Sequence, residues 1–192
     1  MAELARTARV DVLVEGYARM PRVAGTVSLV RDAGRVAVVD PGMVADRRLI
    51  LRPLRQLGVR PEDVTDVIVS HHHLDHTVNI ALFPVVPVHD FQSAVEGDVF
   101  TRRPADGLQL TPAIRLLATP GHTAQDITTL VGTSDDVVAL THLWWTAAGP
   151  ADDPYSPDRE ELRRQRERVL DLATLVVPGH AAPFRPGPST PR

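Results

Sequence analysis

The chain has no cysteine among its 192 residues. Neither disulfides nor thiolate ligands are available, so a metal site must be built from histidine and carboxylate. Lysine is absent too: all 21 basic residues are arginine, set against 24 acids for a formal net charge of −3. That balance leaves no overall basic surface for nucleic acid, and a polyanionic substrate would need a local patch. No apolar run approaches the roughly 18 residues of a membrane-spanning helix. Charges at Glu3, Arg6, Arg9 and Asp11 interrupt any signal-peptide core, so a soluble cytoplasmic protein is expected.

What is present reads as one globular domain over residues 1–184, with "RPGPSTPR" (185–192) as a frayed tail. Apolar runs bounded by turn residues predict strands over 10–17, 25–32, 35–42, 65–70, 85–90, 113–122, 126–133, 137–142 and 174–180. Antiparallel pairing is expected to dominate the second half. A helix is expected within 44–57, with Leu49, Ile50, Leu54 and Leu57 on one face, Gly58 as its C-terminal cap and Pro53 forcing a kink or a start nearby. The clearest helix is 156–173, with Ser156 as cap, Pro157 in first position and Leu162, Val169 and Leu172 turned inward. Its arginines Arg163, Arg164, Arg166 and Arg168 read as a solvated face; they are also the local cluster to which any weak, salt-sensitive nucleic-acid binding would fall.

Histidines concentrate where strands end. "VIVSHHHLDHTVN" (67–79) places four of them and Asp75 within six positions, and His122, His142 and His180 each close another apolar run. Strand ends at one sheet edge can converge on a pocket. His71 and His73 alternate in an extended turn while Asp75 and His76 open a helix, and two directions of projection suit two metals. Zinc takes about four nitrogen or oxygen ligands, and a two-metal site needs more. The candidates are His71, His73, Asp75, His76, His122, His142 and His180. Outside them, Asp40 in "VVDPG" is expected to hydrogen-bond the histidine turn, with a turn cap as its alternative. His72 is a candidate for a supporting or proton-relay role, His89 reads as structural, and Trp144 or Trp145 could wall the pocket or fill the core.

The ordered motifs HxHxDH (His71, His73, Asp75, His76), "TPGHT" (119–123), "VVALTH" (137–142) and "PGH" (178–180) resemble the metallo-β-lactamase superfamily along nearly the whole chain. The resemblance implies a four-layer αββα sandwich, with His71, His73 and His122 on one metal and Asp75, His76 and His180 on the other. "VLVEGYA", "LFP" (82–84) and the arginine-rich helix before "PGH" are most like a vertebrate branch, which implies RNA-cleaving hydrolysis. One position departs from the family: His142 stands where a carboxylate usually bridges the metals. Asp135 and Asp136 lie roughly 20 Å of extended chain away and cannot replace it. An imidazole ligates through one nitrogen, so the second metal should bind less well, with Asp75 the only anionic ligand left.

The expected cofactor is zinc, one or two ions, with iron or manganese less easily excluded. The expected activity is hydrolysis by a zinc-bound hydroxide, with Asp75 orienting the nucleophile and Asp75, His72 or His142 relaying protons. A phosphodiester of RNA type is the first substrate class; a thioester of the glyoxalase II kind or a lactone is the rival; a catalytically silent metal-binding domain is a third reading. Long-substrate nucleases of the superfamily carry an inserted domain for which this chain has no room, so a small or end-presented substrate is expected.

Overall fold

In the computed structural model, which describes residues 3–192, the apolar runs become two sheets. In chain order the elements are β1 (Arg9–Val14), β2 (Tyr17–Arg19), β3 (Arg22–Ala24), β4 (Val27–Asp32), β5 (Arg35–Val39), α1 (Arg48–Gln56), β6 (Asp66–Ile68), α2 (Leu74–Thr77), β7 (Val88–His89), β8 (Ser93–Glu96), β9 (Val99–Arg102), β10 (Gln109–Thr111), β11 (Ile114–Ala118), β12 (Ile127–Gly132), β13 (Val137–Leu140), α3 (Arg159–Leu170) and β14 (Leu175–Val177). One sheet has the order β1-β4-β5-β6-β7-β8-β9 and the other β10-β11-β12-β13-β14, while β2 and β3 pair only with each other. The second sheet is antiparallel except for its last pair, β13 with β14.

Successive strand residues point to opposite faces, and the layers follow from that alternation. Val30, Val39 and Ile68 meet Leu116, Val131, Val138 and Val177 between the sheets. Their neighbours Leu29, Val38 and Val67 face outward onto Ile50 and Leu54 of α1. On the far side Leu117, Leu130, Ala139 and Val176 meet Leu162 and Val169 of α3. Helix, sheet, sheet, helix is the expected αββα sandwich. Truncating a fully buried leucine such as Leu54 to alanine should cost about 2–5 kcal/mol, because the cavity it leaves collapses only partly.

Several local expectations are corrected. The strands are shorter than the apolar runs, and 85–90 supplies only Val88–His89. The hairpins β2–β3 and β8–β9 lie outside the expected strands. Pro53 sits inside α1, where burial of Ile50 and Leu54 outweighs the lost backbone donor, and Leu49 is 48% exposed rather than on the buried face. Gly58 ends that helix with φ +75°. The cap of α3 is Asp158, whose carboxylate accepts from the backbone N–H groups of Glu160 and Glu161; Ser156 instead donates to the Asp158 carbonyl. A carboxylate is the better partner for the positive helix end. The final residues, read as frayed, fold back: Arg185 pairs with Asp136 at 2.6 Å and the Trp144 indole donates to the Pro191 carbonyl at 2.8 Å.

Candidate metal centre

Chain direction brings the histidines together. β11, β13 and β14 run in the same sense, so His122, His142 and His180, which follow their C-terminal ends, emerge at one edge. β6 delivers the turn 71–73 and then α2. The Asp75 carbonyl accepts from Gly25 and Met43, each at 3.0 Å, and the Thr26 N–H donates to the Gly179 carbonyl at 2.8 Å. Gly42 lies so close beneath α2 that a Cβ there would fall 1.7 Å from the Asp75 carbonyl oxygen. No other residue allows that approach.

All seven expected candidates converge. Donor atoms of His71, His73 and His122 form one group, those of Asp75, His76 and His180 a second, and those of His71, His76 and His142 a third, each within 4.8 Å. His142 therefore stands between the two triads, sharing one partner with each. His73 Nδ1 lies 3.0 Å from His71 Nε2 and 3.1 Å from His122 Nε2. Asp75 Oδ2 lies 3.4 Å from His76 Nε2 and 3.5 Å from His180 Nε2. These spacings approach the edge of about 3.3 Å in a tetrahedron of ligands about 2.0–2.1 Å from zinc. His76 Nε2 and His142 Nδ1 are buried without any hydrogen-bond partner. Orphaned polar atoms of this kind are costly unless a ligand satisfies them, so the donor set fits a metal.

The outward nitrogens of four rings are held. His71 Nδ1 faces Ser70 Oγ at 3.0 Å, His76 Nδ1 faces Asp40 Oδ2 at 2.9 Å, His122 Nδ1 faces Asp153 Oδ2 at 2.8 Å and His180 Nδ1 faces the Ala24 carbonyl at 3.0 Å. Such partners fix the ring and aim the other nitrogen inward. Asp40, at φ +52°, also accepts from the Ser70 backbone and hydroxyl, the supporting role its sequence position suggested.

Burial, followed by repulsion from neighbouring rings, pushes His71 and His142 well below the ordinary imidazole range. Burial lowers His73 and His180 as well. Neutral imidazoles are the ligating form. His76 goes the other way: burial opposes its charge, but the adjacent carboxylates of Asp40 and Asp75 outweigh burial and raise it to about 9. Burial likewise opposes the Asp75 charge and is outweighed by His76 and His180, leaving its carboxyl at about 2. His76 and Asp75, whose Nε2 and Oδ2 lie 3.4 Å apart, thus carry complementary charge within the second triad.

Other expectations divide. His72 is not among the grouped donors; it is exposed and faces Asp90 Oδ2 at 3.2 Å, so it has no supporting contact to the histidine turn. His89 is buried against Asp66 at 2.8 Å, which is structural as expected. Trp144 is core and Trp145 faces the site, so each reading applies to one tryptophan. The helix arginines do not form a free basic cluster. Arg163 pairs with Glu167, Arg164 with Glu160 and Glu161, and Arg168 with Asp106. Arg166 is fully buried and donates to the carbonyls of Leu143, Ala151 and Pro150 at 2.8, 2.9 and 2.7 Å.

Arg166 thereby fixes the loop that follows β13, which carries two residues the sequence reading missed. Asp153, 1% exposed, orients His122 and also accepts from the Trp145 indole at 2.8 Å. Tyr155, 64% exposed, stacks on Trp145 with centroids 5.9 Å apart and lies 5.4 Å from the His122 ring. The cluster "ADDPYS" carries no periodic or motif signal; its density of acids beside an aromatic, so soon after a candidate ligand, was the available hint.

Residues 20–181 match the family model of the metallo-beta-lactamase superfamily. Metallo-beta-lactamase domain-containing protein 1 of Xenopus laevis is 33% identical over 198 residues, covering 92% of this chain and 81% of that one. Hydroxyacylglutathione hydrolase of Hahella chejuensis is 35% identical over 106 residues, covering 52% of this chain and 38% of that one. A solved metallo-beta-lactamase family protein from Thermus thermophilus has the same fold, with a TM-score of 0.65 at 20% identity over 92% of this chain and 74% of that one. Superfamily members are generally hydrolases that bind divalent metals, and the candidate centre described above lies within the matched residues. With its motifs in order, its layered fold and a family match over most of its length, this chain belongs to the metallo-beta-lactamase superfamily and is a metallohydrolase of that fold.

Proposed function

We propose that this chain hydrolyses phosphodiesters presented as a small molecule or a strand end, with His71, His73, Asp75, His76, His122, His142 and His180 as the metal-binding set. Bound zinc would bring the pKa of a water from 15.7 down toward about 7 and polarise the oxygen of the bond to be cut. Asp75, the single carboxylate among the donors, orients the attacking water and accepts its proton. His142 is buried among the donors and serves as a ligand; His72, held by Asp90 at the surface, is left out of the relay. The cleft that reaches His180 measures about 450 Å³ and is walled by Trp145, Tyr17 and the 146–150 segment, a size suited to a compact substrate.

The observation that favours a nucleotide-like phosphodiester is the Trp145–Tyr155 stack, an exposed tyrosine on a half-buried tryptophan beside His122 and His73. Planar bases stack on such platforms whatever their sequence. Thioester hydrolysis is the second reading, favoured by the 35% identity to hydroxyacylglutathione hydrolase over half of this chain. Zinc-reconstituted protein tested on bis(4-nitrophenyl) phosphate, a glutathione thioester and an acyl homoserine lactone, each beside a chelated control, separates the two. Chelator-sensitive turnover of the phosphodiester alone supports the first; turnover of the thioester alone replaces it. Absence of all turnover, with metal bound, would indicate a silent metal-binding domain.

A further inference from the structure

The hairpin β2–β3 places Arg19 directly opposite Arg22. Like charges facing each other across a strand pair are destabilising unless something neutralises them. Among the described residues neither arginine has an ion pair or a hydrogen bond to an acid, whereas Arg31, Arg35, Arg48, Arg60 and Arg185 are all paired with aspartates. Arg22 lies over the Tyr17 ring at 6.0 Å. Facing each other across a strand pair, more than the lack of an acid partner, sets these two arginines apart.

Their position supplies the reason. Arg19 and Tyr17 line the same cleft as Trp145 and His180, and Arg19 and Arg22 line an adjoining hollow of about 360 Å³ with Glu15, Gly16 and Tyr17. Glu15 offsets one of the two charges, and the hollow keeps a net positive charge. The pair thus sits beside the donor set and outside it, where it would meet the part of a substrate that is not being cut.

We infer that Arg19 and Arg22 form an anion subsite that holds a phosphate flanking the scissile phosphodiester. The inference rests on the phosphodiester reading and assigns that site its specificity. Two guanidinium groups can fork around phosphate oxygens in a way that a single cation cannot. Binding a flanking phosphate would also relieve the repulsion between them, so the hairpin and the substrate stabilise each other.

The test uses the zinc-reconstituted full chain and the double variant Arg19→Gln/Arg22→Gln, with bis(4-nitrophenyl) phosphate and a single-stranded tetraribonucleotide as substrates. The variant should raise KM for the tetranucleotide about tenfold with kcat unchanged, and leave both constants for bis(4-nitrophenyl) phosphate within about twofold. The slope of log kcat/KM against log salt should flatten by about 0.7, the contribution of one phosphate neutralised on a single strand. Arg19→Lys/Arg22→Lys, which keeps the charge and loses the fork, should recover only part of the affinity. An unchanged KM for the tetranucleotide, or equal losses on both substrates, would overturn the subsite. If the wild type cleaves no phosphodiester, the functional reading fails by itself. The subsite is then decided by fluorescence anisotropy of a labelled tetranucleotide on metal-free protein: tighter binding by wild type than by the glutamine variant upholds it, and equal binding removes it.

Discussion

His142 Nε2 lies 3.0 Å from His180 Nε2, and Gly179 makes that approach possible, because a Cβ at 179 would fall 2.3 Å from the His142 ring. The glycine of "PGH" therefore makes room for the His142 imidazole, which stands between the two triads. An imidazole between the two triads can serve one metal and cannot offset the repulsion between two. Wild-type protein should take up one metal tightly and a second more weakly. His142→Asp should raise the stoichiometry toward two, and His142→Ala should weaken binding of one metal without unfolding the domain. Calorimetric titration of metal-free protein checks this; two equivalents of matched affinity, unaltered in His142→Asp, would contradict it.

Asp153 fixes the His122 ring through Nδ1. Asp153→Asn should weaken the metal held by the first triad by about 10–100-fold, the usual effect of removing an orienting carboxylate, while leaving the second triad untouched. Competition with a chromogenic chelator measures it. Burial opposes the Asp153 charge, and its bond to His122 outweighs burial to keep the carboxyl below the usual range, so the loss is one of charge as well as of geometry.

Arg166, itself 0% exposed, donates to three carbonyls, the buried one of Leu143 and the more open ones of Pro150 and Ala151. Arg166→Met should destabilise the domain by about 3 kcal/mol, since hydrogen bonds to a charged group are worth about 1.5–3 kcal/mol and their loss strands the buried Leu143 carbonyl. Arg166→Lys, with one nitrogen for three acceptors, should recover only part. Urea unfolding reads both. Destabilisation below about 0.5 kcal/mol would return this arginine to the solvated face that its sequence suggests.

His89 separates fold from site. It bonds Asp66, which is also held by Arg35 and Thr65. His89→Ala should lower stability by about 1–3 kcal/mol by leaving a buried carboxylate short of a partner, and should leave metal content at the wild-type level. A parallel loss of metal would show that the histidine variants report on folding rather than ligation.

His71, His122, His142 and His180 were legible because an apolar strand ends two to four residues before each, and the remaining donors because four motifs occur in family order. The layers were implied by the family resemblance, and the alternation beneath them is seen in the structure, where Leu29 and Val30 or Leu116 and Leu117 face opposite ways. What was not legible depends on distant segments. Nothing in "REELRRQRERVL" marks Arg166 among its neighbours, since its burial is created by the loop from Leu143 to Ala151 arriving over the helix. Asp153 is defined by His122, 31 residues earlier. The β2–β3 hairpin did leave a trace, the alternation in "YARMPRVA" around a Met-Pro turn, of which the strand expected over 10–17 took in only Tyr17.

The central claim is that the histidine and aspartate set is a metal centre, and elemental analysis of the purified protein tests it most directly. The account predicts about one to two equivalents of transition metal in the wild type, reduced in His71→Ala and His122→Ala and unchanged in His89→Ala. Absence of bound metal in the wild type, even after reconstitution with zinc or iron, would contradict it.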